Sequence, residues 1–549
     1  LLDMLVAQGV RYIFGNPGTT ELPLMDAIQD YPQLRYVLGL QEAACVAMAD
    51  GYARASGQAG FVNLHVTGGI VNGLSILYDA FRGGTPLVVT AGQSDTRMHL
   101  EEPLLFSDMV TLCRQYTKWS AEVRHGRDVF TAIRRAFRTA MTPPTGPVFL
   151  SLPMNVLDEA AEHDQAPVSP LYTRLQPDPE GLEKAVELLT HTQNPLMLVG
   201  DRIAQSAAVS EAVKMAERLG ATVMALSFSE VNFPTNHPLF SGVLDPDSSR
   251  ASELLARHDL ILAVGCSMFQ QFVYSPLPVD QKTPIIHLDV NSWEIEKNIP
   301  VTVGVWGDIK TGLRLLEEKL SNREGGNAFP QKQNMISEKG ILKAQARSVL
   351  LEKAQKHWDQ KPIDPIRLFW ELKEALPEGA IVASEAITST VPLFRVMDFI
   401  EPGSFFSLRG GALGWGIGGA LGIKLARPDR PVVAVVGDGS ALYSIQGLWT
   451  AVQYNLPVTY IICNNRSYRI LKHYMANYYL PNQGLKNRRS AYTGMNFSDH
   501  PLDCAALARG FGLRGYSVED PGDLKPVLTK ALSLNKPALI DVHIQSGNF

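Results

Sequence analysis

Val432-Val433-Ala434-Val435-Val436-Gly437-Asp438-Gly439 is an apolar run that ends in an acidic glycine turn, and a second run, Val458 to Cys463, ends in Asn464-Asn465. Two consecutive strands of a parallel sheet would deliver both tips to one edge, where α/β sheets bind ligands. A carboxylate and an amide oxygen arriving together are hard donors suited to Mg2+ or Ca2+ rather than zinc. Glycines on either side of Asp438 let backbone N–H groups approach an anion closely, and a metal would bridge that anion to the protein. Diphosphate plus Mg2+ is the economical reading.

Outward from this stretch the chain reads as three α/β blocks. In the first, Gly60–Leu64, Pro86–Thr90 and Pro147–Ser151 read as strands, separated by helical patterns such as Glu42 to Ala55 and Asp128 to Thr142. That alternation argues for a parallel sheet with crossover helices. A polar, proline-marked stretch from Asp158 to Pro179 reads as a linker. The second block repeats the rhythm at Pro195–Val199, Ala221–Met224, Leu260–Val264 and Pro284–Leu288. Val199-Gly200 and Val264-Gly265 stand at strand ends there, but no G-x-G-x-x-G follows, so a structural role is the expectation rather than a bound nucleotide. Charged and polar residues dominate from Ser321 to Pro362. The third block adds strands at Ala380–Ala383 and Ala538–Val542 to the two quoted first. The expected domains are 1–160, 178–320 and 361–549, three doubly wound parallel-sheet variations on one layered α/β fold.

With 549 residues, 45% of them apolar and a net charge of -5, the composition suits a large globular enzyme. No basic tract invites a nucleic acid, and no run of about 18 uncharged apolar residues invites a membrane. Five widely spaced cysteines, Cys45, Cys113, Cys266, Cys463 and Cys504, lie mostly in apolar runs. Buried thiols of a cytoplasmic protein explain them better than disulfides or a metal cluster. The start, Leu1-Leu2-Asp3-Met4, has neither an initiator Met nor a signal-peptide pattern, as expected of a trimmed chain.

The first block supplies three further segments: Phe14-Gly15-Asn16-Pro17-Gly18-Thr19-Thr20-Glu21, Leu40-Gln41-Glu42-Ala43-Ala44, and Asn63-Leu64-His65. GDGS followed by NN resembles the thiamin-diphosphate signature of the decarboxylase and acetolactate synthase superfamily. The NPG, QEA and NLH segments resemble most closely its benzoylformate decarboxylase branch, a likeness that extends through Trp449-Thr450-Ala451-Val452-Gln453-Tyr454-Asn455.

The resemblance implies a division of labour. Glu42 would hydrogen-bond N1′ of the aminopyrimidine so that the 4′-amino group can take the proton from C2; an apolar pocket around this carboxylate would disfavour its charged form and favour proton sharing. Read alone, Glu42 is an ordinary first-turn glutamate favoured by the helix dipole. Within Gly410-Gly411-Ala412-Leu413-Gly414-Trp415, Leu413 would wedge the cofactor into a V and the Gly411 carbonyl would accept from the 4′-amino group. His65 would donate to the oxygen of the attacked carbonyl. Thr19 would keep a hydroxyl for the substrate, although threonine also caps helices. Asp438, Asn465 and the Ser467 carbonyl would bind Mg2+. Pro17, Gly18, Thr388, Gly437, Gly439, Ser440, Tyr443, Tyr468 and Ile470 complete the expected contacts with thiamin diphosphate.

Departures from the branch bear on substrate. Phe272, in Met268–Pro276, stands where a second histidine is expected, which puts aldehyde release in competition with carbon–carbon coupling. Ile387 replaces an expected hydroxyl, leaving Thr388 as the diphosphate contact. Ile470, Tyr474, Arg466, Arg469 and Lys472 change the pocket's size and charge. The expected activity is non-oxidative decarboxylation of a 2-oxo acid to an aldehyde and CO2, with an acyloin- or acetolactate-forming carboligase as the alternative. The resemblance also implies a homodimer at least, and a homotetramer as the expected form.

Overall fold

The computed structural model describes residues 1–160, 168–245, 251–274, 276–280, 282–324, 329–484 and 492–546. Residues 161–167 of the expected linker, 325–328 of the polar stretch, and Ser275 beside Phe272 lie outside the described residues. The fold class is as expected: three parallel six-stranded sheets flanked by helices.

The first sheet comprises β1 (Tyr12–Gly15), β2 (Arg35–Leu38), β3 (Gly60–Leu64), β4 (Leu87–Gln93), β5 (Trp119–Glu122) and β6 (Val148–Pro153), in the order β2-β1-β3-β4-β6-β5. The second comprises β7 (Pro195–Val199), β8 (Thr222–Ala225), β9 (Phe240–Val243), β10 (Leu260–Val264), β11 (Ile285–Asp289) and β12 (Val303–Trp306), in the order β12-β11-β10-β7-β8-β9. The third comprises β13 (Ile381–Glu385), β14 (Phe405–Ser407), β15 (Val432–Gly437), β16 (Val458–Asn464), β17 (Arg514–Val518) and β18 (Ala538–His543), in the order β14-β13-β15-β16-β18-β17. The first and third sheets thus share one strand order; the middle one, read from β9, has the 3-2-1-4-5-6 order of dinucleotide-binding sheets. The polar stretch after the middle sheet is helical, over Ile309–Glu324 and Phe329–Gln355.

The chain divides into two compact units. One comprises Leu1–Leu171, Trp358–Leu393 and Phe406–Phe549, and so holds the first and third sheets; the other comprises Tyr172–His357 and Phe394–Phe405. All five cysteines are buried and free.

Three helices of the first unit set up its chemistry: α1 (Glu42–Ser56), α2 (Val66–Gly83) and α3 (Trp415–Ala426). Gln41 caps α1 through its side-chain oxygen, which accepts from Ala44 N, and Gly57 ends the helix at φ +72°. α1 and α3 touch backbone to backbone. A Cβ on Gly51 would overlap the Gly419 carbonyl, one on Gly422 would overlap the Met48 carbonyl, and one on Gly418 would lie 2.7 Å from the Ala44 carbonyl. Trp415, fully buried, donates from Nε1 to Asp50 Oδ2 at 2.6 Å.

In the second unit the strand order reverses between β7 and β10. A Cβ on Gly200 would overlap the Gly265 carbonyl, and Arg202 reaches across to the fully buried Asp289 with Nε–Oδ1 2.8 Å and Nη2–Oδ2 2.7 Å.

Candidate active site

The first sheet reverses its strand order between β1 and β3, and doubly wound sheets bind ligands in the crevice at such a point. β1 runs into Asn16-Pro17-Gly18 and β3 runs into His65. The two loops touch, since a Cβ on Gly18 would overlap the His65 ring. His65 Nδ1 lies 2.8 Å from Glu21 Oε2 and 3.1 Å from Thr20 Oγ1. Glu21 is fully buried, and it also accepts from Gly18 N and Gly92 N at 2.8 Å and from the Thr20 hydroxyl at 2.9 Å. A carboxylate only accepts, so the proton belongs on Nδ1 and Nε2 is the nitrogen left for a ligand. Val66, the next residue, holds φ +36°, a strained value for a β-branched side chain.

Glu42 opens α1 beside this crevice. Its Oε1 accepts from Asn16 Nδ2 at 3.1 Å and its Oε2 from Asn72 Nδ2 at 3.0 Å. The loop after β1 and the first turns of α2 thus each turn an amide toward the start of α1.

The third sheet reverses between β13 and β15. β13 ends at Glu385 and passes into the short turn Ile387–Ser389, which carries a half-buried Thr388. β15 ends at Gly437, and Asp438 begins the single turn Asp438–Ala441. Gly437 pairs with Cys463 in register, which brings Asn464 and Asn465 alongside Asp438. Asp438 is 2% exposed, its Oδ2 has no hydrogen-bond partner among the described residues, and burial pushes its carboxyl up to about 6. Such an orphaned buried oxygen is what a cation satisfies.

The two asparagines behave differently. Asn464 is committed to the fold, donating to Asp541 Oδ1 at 3.0 Å and to the Leu502 carbonyl at 3.1 Å. Asn465 Oδ1 accepts from Ser467 N and Oγ, both at 3.0 Å, a local turn that shapes the loop. Among the described residues no group of three His, Cys, Asp or Glu side chains has metal-binding spacing. A metal here would rest on one carboxylate with amide and carbonyl oxygens, a set that fits Mg2+.

Around this edge, a Cβ on Gly439 would lie 2.7 Å from the Tyr468 ring, which stands edge-on to Phe497 at 4.7 Å. Ser440 is buried and Tyr443 is exposed. Ile387 and Arg466 hold φ +40° and +55°, so with Val66 three strained non-glycine residues stand at the two crevices. Gly411, exposed at φ +92°, and the half-buried Leu413 precede α3, and Ile470 is half-buried in Arg469–Tyr474.

Thr19 is exposed, whereas its neighbour Thr20 is the threonine that touches His65. Phe272 is 82% exposed within the second unit. Sequence reasoning passed over Glu21, Asn16 and Asn72. Asn16 and Asn72 meet at Glu42 only once the loop after β1 and the helix α2 are in place, whereas Glu21 sits at capping-box spacing from Gly18.

The chain matches three descriptions of one family: the N-terminal TPP binding domain of thiamine pyrophosphate enzymes over residues 1–110, the central domain over 182–316, and the C-terminal TPP binding domain over 388–542. It is 33% identical to a benzoylformate decarboxylase of Pseudomonas aeruginosa, across 99% of this chain and 98% of that one. It is 28% identical to an acetolactate synthase large subunit of Haemophilus influenzae, across 100% and 94%. Among solved structures it resembles the thiamine diphosphate-dependent 4-hydroxybenzoylformate decarboxylase of Rhodococcus jostii RHA1, with TM-score 0.84, 31% identity and coverage of 99% and 98%. It also resembles the benzoylformate decarboxylase of Polynucleobacter necessarius, with TM-score 0.86, 30% identity and coverage of 100% and 98%.

Proposed function

The chain belongs to the thiamine pyrophosphate enzyme family, and from that premise we propose that it decarboxylates a 2-oxo acid to an aldehyde and CO2 in the manner of benzoylformate decarboxylase. The observation that carries this reading is the Glu21–His65 pair at the reversal of the first sheet.

When bound, thiamin diphosphate supplies a nucleophilic carbon and an electron sink for departing CO2. Glu42 holds a proton at N1′ of the pyrimidine ring. His65, its Nδ1 anchored by Glu21, offers Nε2 to the oxygen of the attacked carbonyl, and Thr19 keeps a hydroxyl for the substrate. Asp438, Asn465 and the Ser467 carbonyl hold Mg2+. Gly437, Gly439, Ser440, Tyr443, Tyr468 and Thr388 receive the diphosphate, while Pro17, Gly18, Gly411, Leu413 and Ile470 receive the rings. The division of labour follows the three sheets, 1–160, 178–320 and 361–549, in a cytoplasmic homodimer or homotetramer. No helix among the described residues is long and apolar enough to cross a membrane.

Phe272 favours a second reading, a carboligase, since a phenyl ring cannot pass a proton where the resemblance expects histidine. A panel of 2-oxo acids assayed for CO2, with mass spectrometry of products with and without added aldehyde, separates the two. Aldehyde release exceeding coupling is expected; coupling in excess replaces the decarboxylase by the carboligase.

A further inference from the structure

The turn between β14 and α3 is gathered inward by two buried carboxyl groups that none of the assigned roles uses. Asp79, 1% exposed in the last turns of α2, accepts from Arg409 N at 3.1 Å through Oδ2, and from Gly410 N at 2.5 Å and Ala412 N at 3.4 Å through Oδ1. Glu385, 2% exposed at the end of β13, accepts from Gly414 N at 2.6 Å through Oε1 and from Gly416 N at 2.5 Å through Oε2. The carboxyls come so close that a Cβ on Gly410 would lie 2.7 Å from Asp79 Oδ1, and one on Gly416 would lie 2.9 Å from Glu385 Oε2. The Ser444 hydroxyl donates to the Gly414 carbonyl at 2.6 Å.

Five main-chain N–H groups of an eight-residue turn therefore point at two side chains. Buried N–H groups need acceptors, and a carboxyl group offers two oxygens where an amide offers one. Helices and strands satisfy such groups by repetition; an irregular glycine turn cannot, and so it borrows acceptors from α2 and β13. The three residues of this stretch whose N–H groups these carboxyls do not take are Gly411, Leu413 and Trp415, the last of which opens α3.

We propose that Asp79 and Glu385 are positioning residues, which hold Arg409–Gly416 in the shape that presents the Gly411 carbonyl and the Leu413 side chain to the bound cofactor. The proposal rests on the thiamin diphosphate reading. It separates two properties of that site: the third-sheet edge at Asp438 governs how tightly the diphosphate is held, and the carboxyl-held turn governs how the rings are presented once it is held.

The test uses full-length Glu385→Gln and Asp79→Asn. Gln places an NH2 donor against a backbone donor; Asn keeps one oxygen and loses the other acceptor. Cofactor uptake is titrated by calorimetry with Mg2+ present, exchange of the cofactor C2 proton is followed by NMR at saturation, and amide exchange across 409–416 is followed by mass spectrometry in the apoprotein. Cofactor affinity is expected to fall less than tenfold, C2 exchange at saturation to slow tenfold or more, and the turn to lose amide protection. If Glu385→Gln does not fold, Asp79→Asn carries the test. Wild-type protein that takes up no cofactor overturns the functional reading and this proposal together; wild-type uptake with variant exchange rates equal to wild type overturns the proposal alone.

Discussion

The His65 ring lies against Gly18 so closely that a single added carbon would displace it, while Glu21 holds the ring by Nδ1. Gly18→Ala therefore moves the imidazole without removing any functional group. A displacement of about 1 Å at a reacting centre costs on the order of 100-fold in rate. We expect kcat to fall by about that factor with the melting temperature little changed, because Gly18 is only half-buried in a loop. Steady-state kinetics beside a thermal melt decide it, and an unchanged kcat would remove His65 from the reaction. At this scale the sequence singles out residues that belong to a motif, as with Asp438, Asn465, Glu42 and His65. Asp79 and Glu385 were illegible for a shared reason: each accepts from main-chain N–H groups elsewhere in the chain, and those donors leave no trace in side-chain identity.

Between residues and molecule stand the elements, and here the sequence divided the strands by their place in the sheet. Interior strands such as β15 and β16 are buried nearly throughout and read as unbroken apolar runs. The edge strands β2, β5, β9, β12, β14 and β17 carried no such run. Trp119–Glu122 is half-buried along its length, and Val303–Trp306 alternates buried with exposed residues. β1, interior but only four residues long, was hidden by its brevity. The crossing of α1 and α3 was equally hidden, since glycines at 51, 418, 419 and 422 signal a close approach only once both helices are in place. Gly422→Ala drives a methyl group into the Met48 carbonyl, a contact between two backbones that cannot turn aside. Overpacking of this kind costs about 1–3 kcal/mol. A melting temperature lowered by several degrees in differential scanning calorimetry is expected, with wild-type stability as the contrary result.

On the scale of the whole molecule the first and third sheets share a strand order and each brings candidate site residues to its own reversal, beside two buried carboxyls whose protonation the pH of the solution sets. Asp79 is pushed by burial from an ordinary 3.8 up to about 6, with Asp50 adding to the rise and the Arg409 and Gly410 amides and Arg54 opposing it. Burial pushes Glu385 from 4.5 up to about 8, with Asp79 adding to the rise and the Gly414 and Gly416 amides opposing it. For a raised carboxyl the folded state keeps a proton that the unfolded chain has released, so stability falls as pH climbs from the unfolded value to the folded one. Asp79 contributes its loss below about pH 6, and His258 and His543, which burial lowers from 6.5, titrate below that ordinary value. Lys118 and Lys343, pushed down by burial to about 8, act above the interval. Between about pH 6.5 and 8 Glu385 therefore supplies a falling slope of up to about 1.4 kcal/mol per pH unit, opposed by the Leu1 amino group, which burial lowers from 8.0. The melting temperature of the metal-free apoprotein should decline across that interval in wild type and stay nearly level in Glu385→Gln, which has no proton to lose. Equal slopes in the two proteins would mean that Glu385 is already ionised at neutral pH and that the turn is held by a charge throughout.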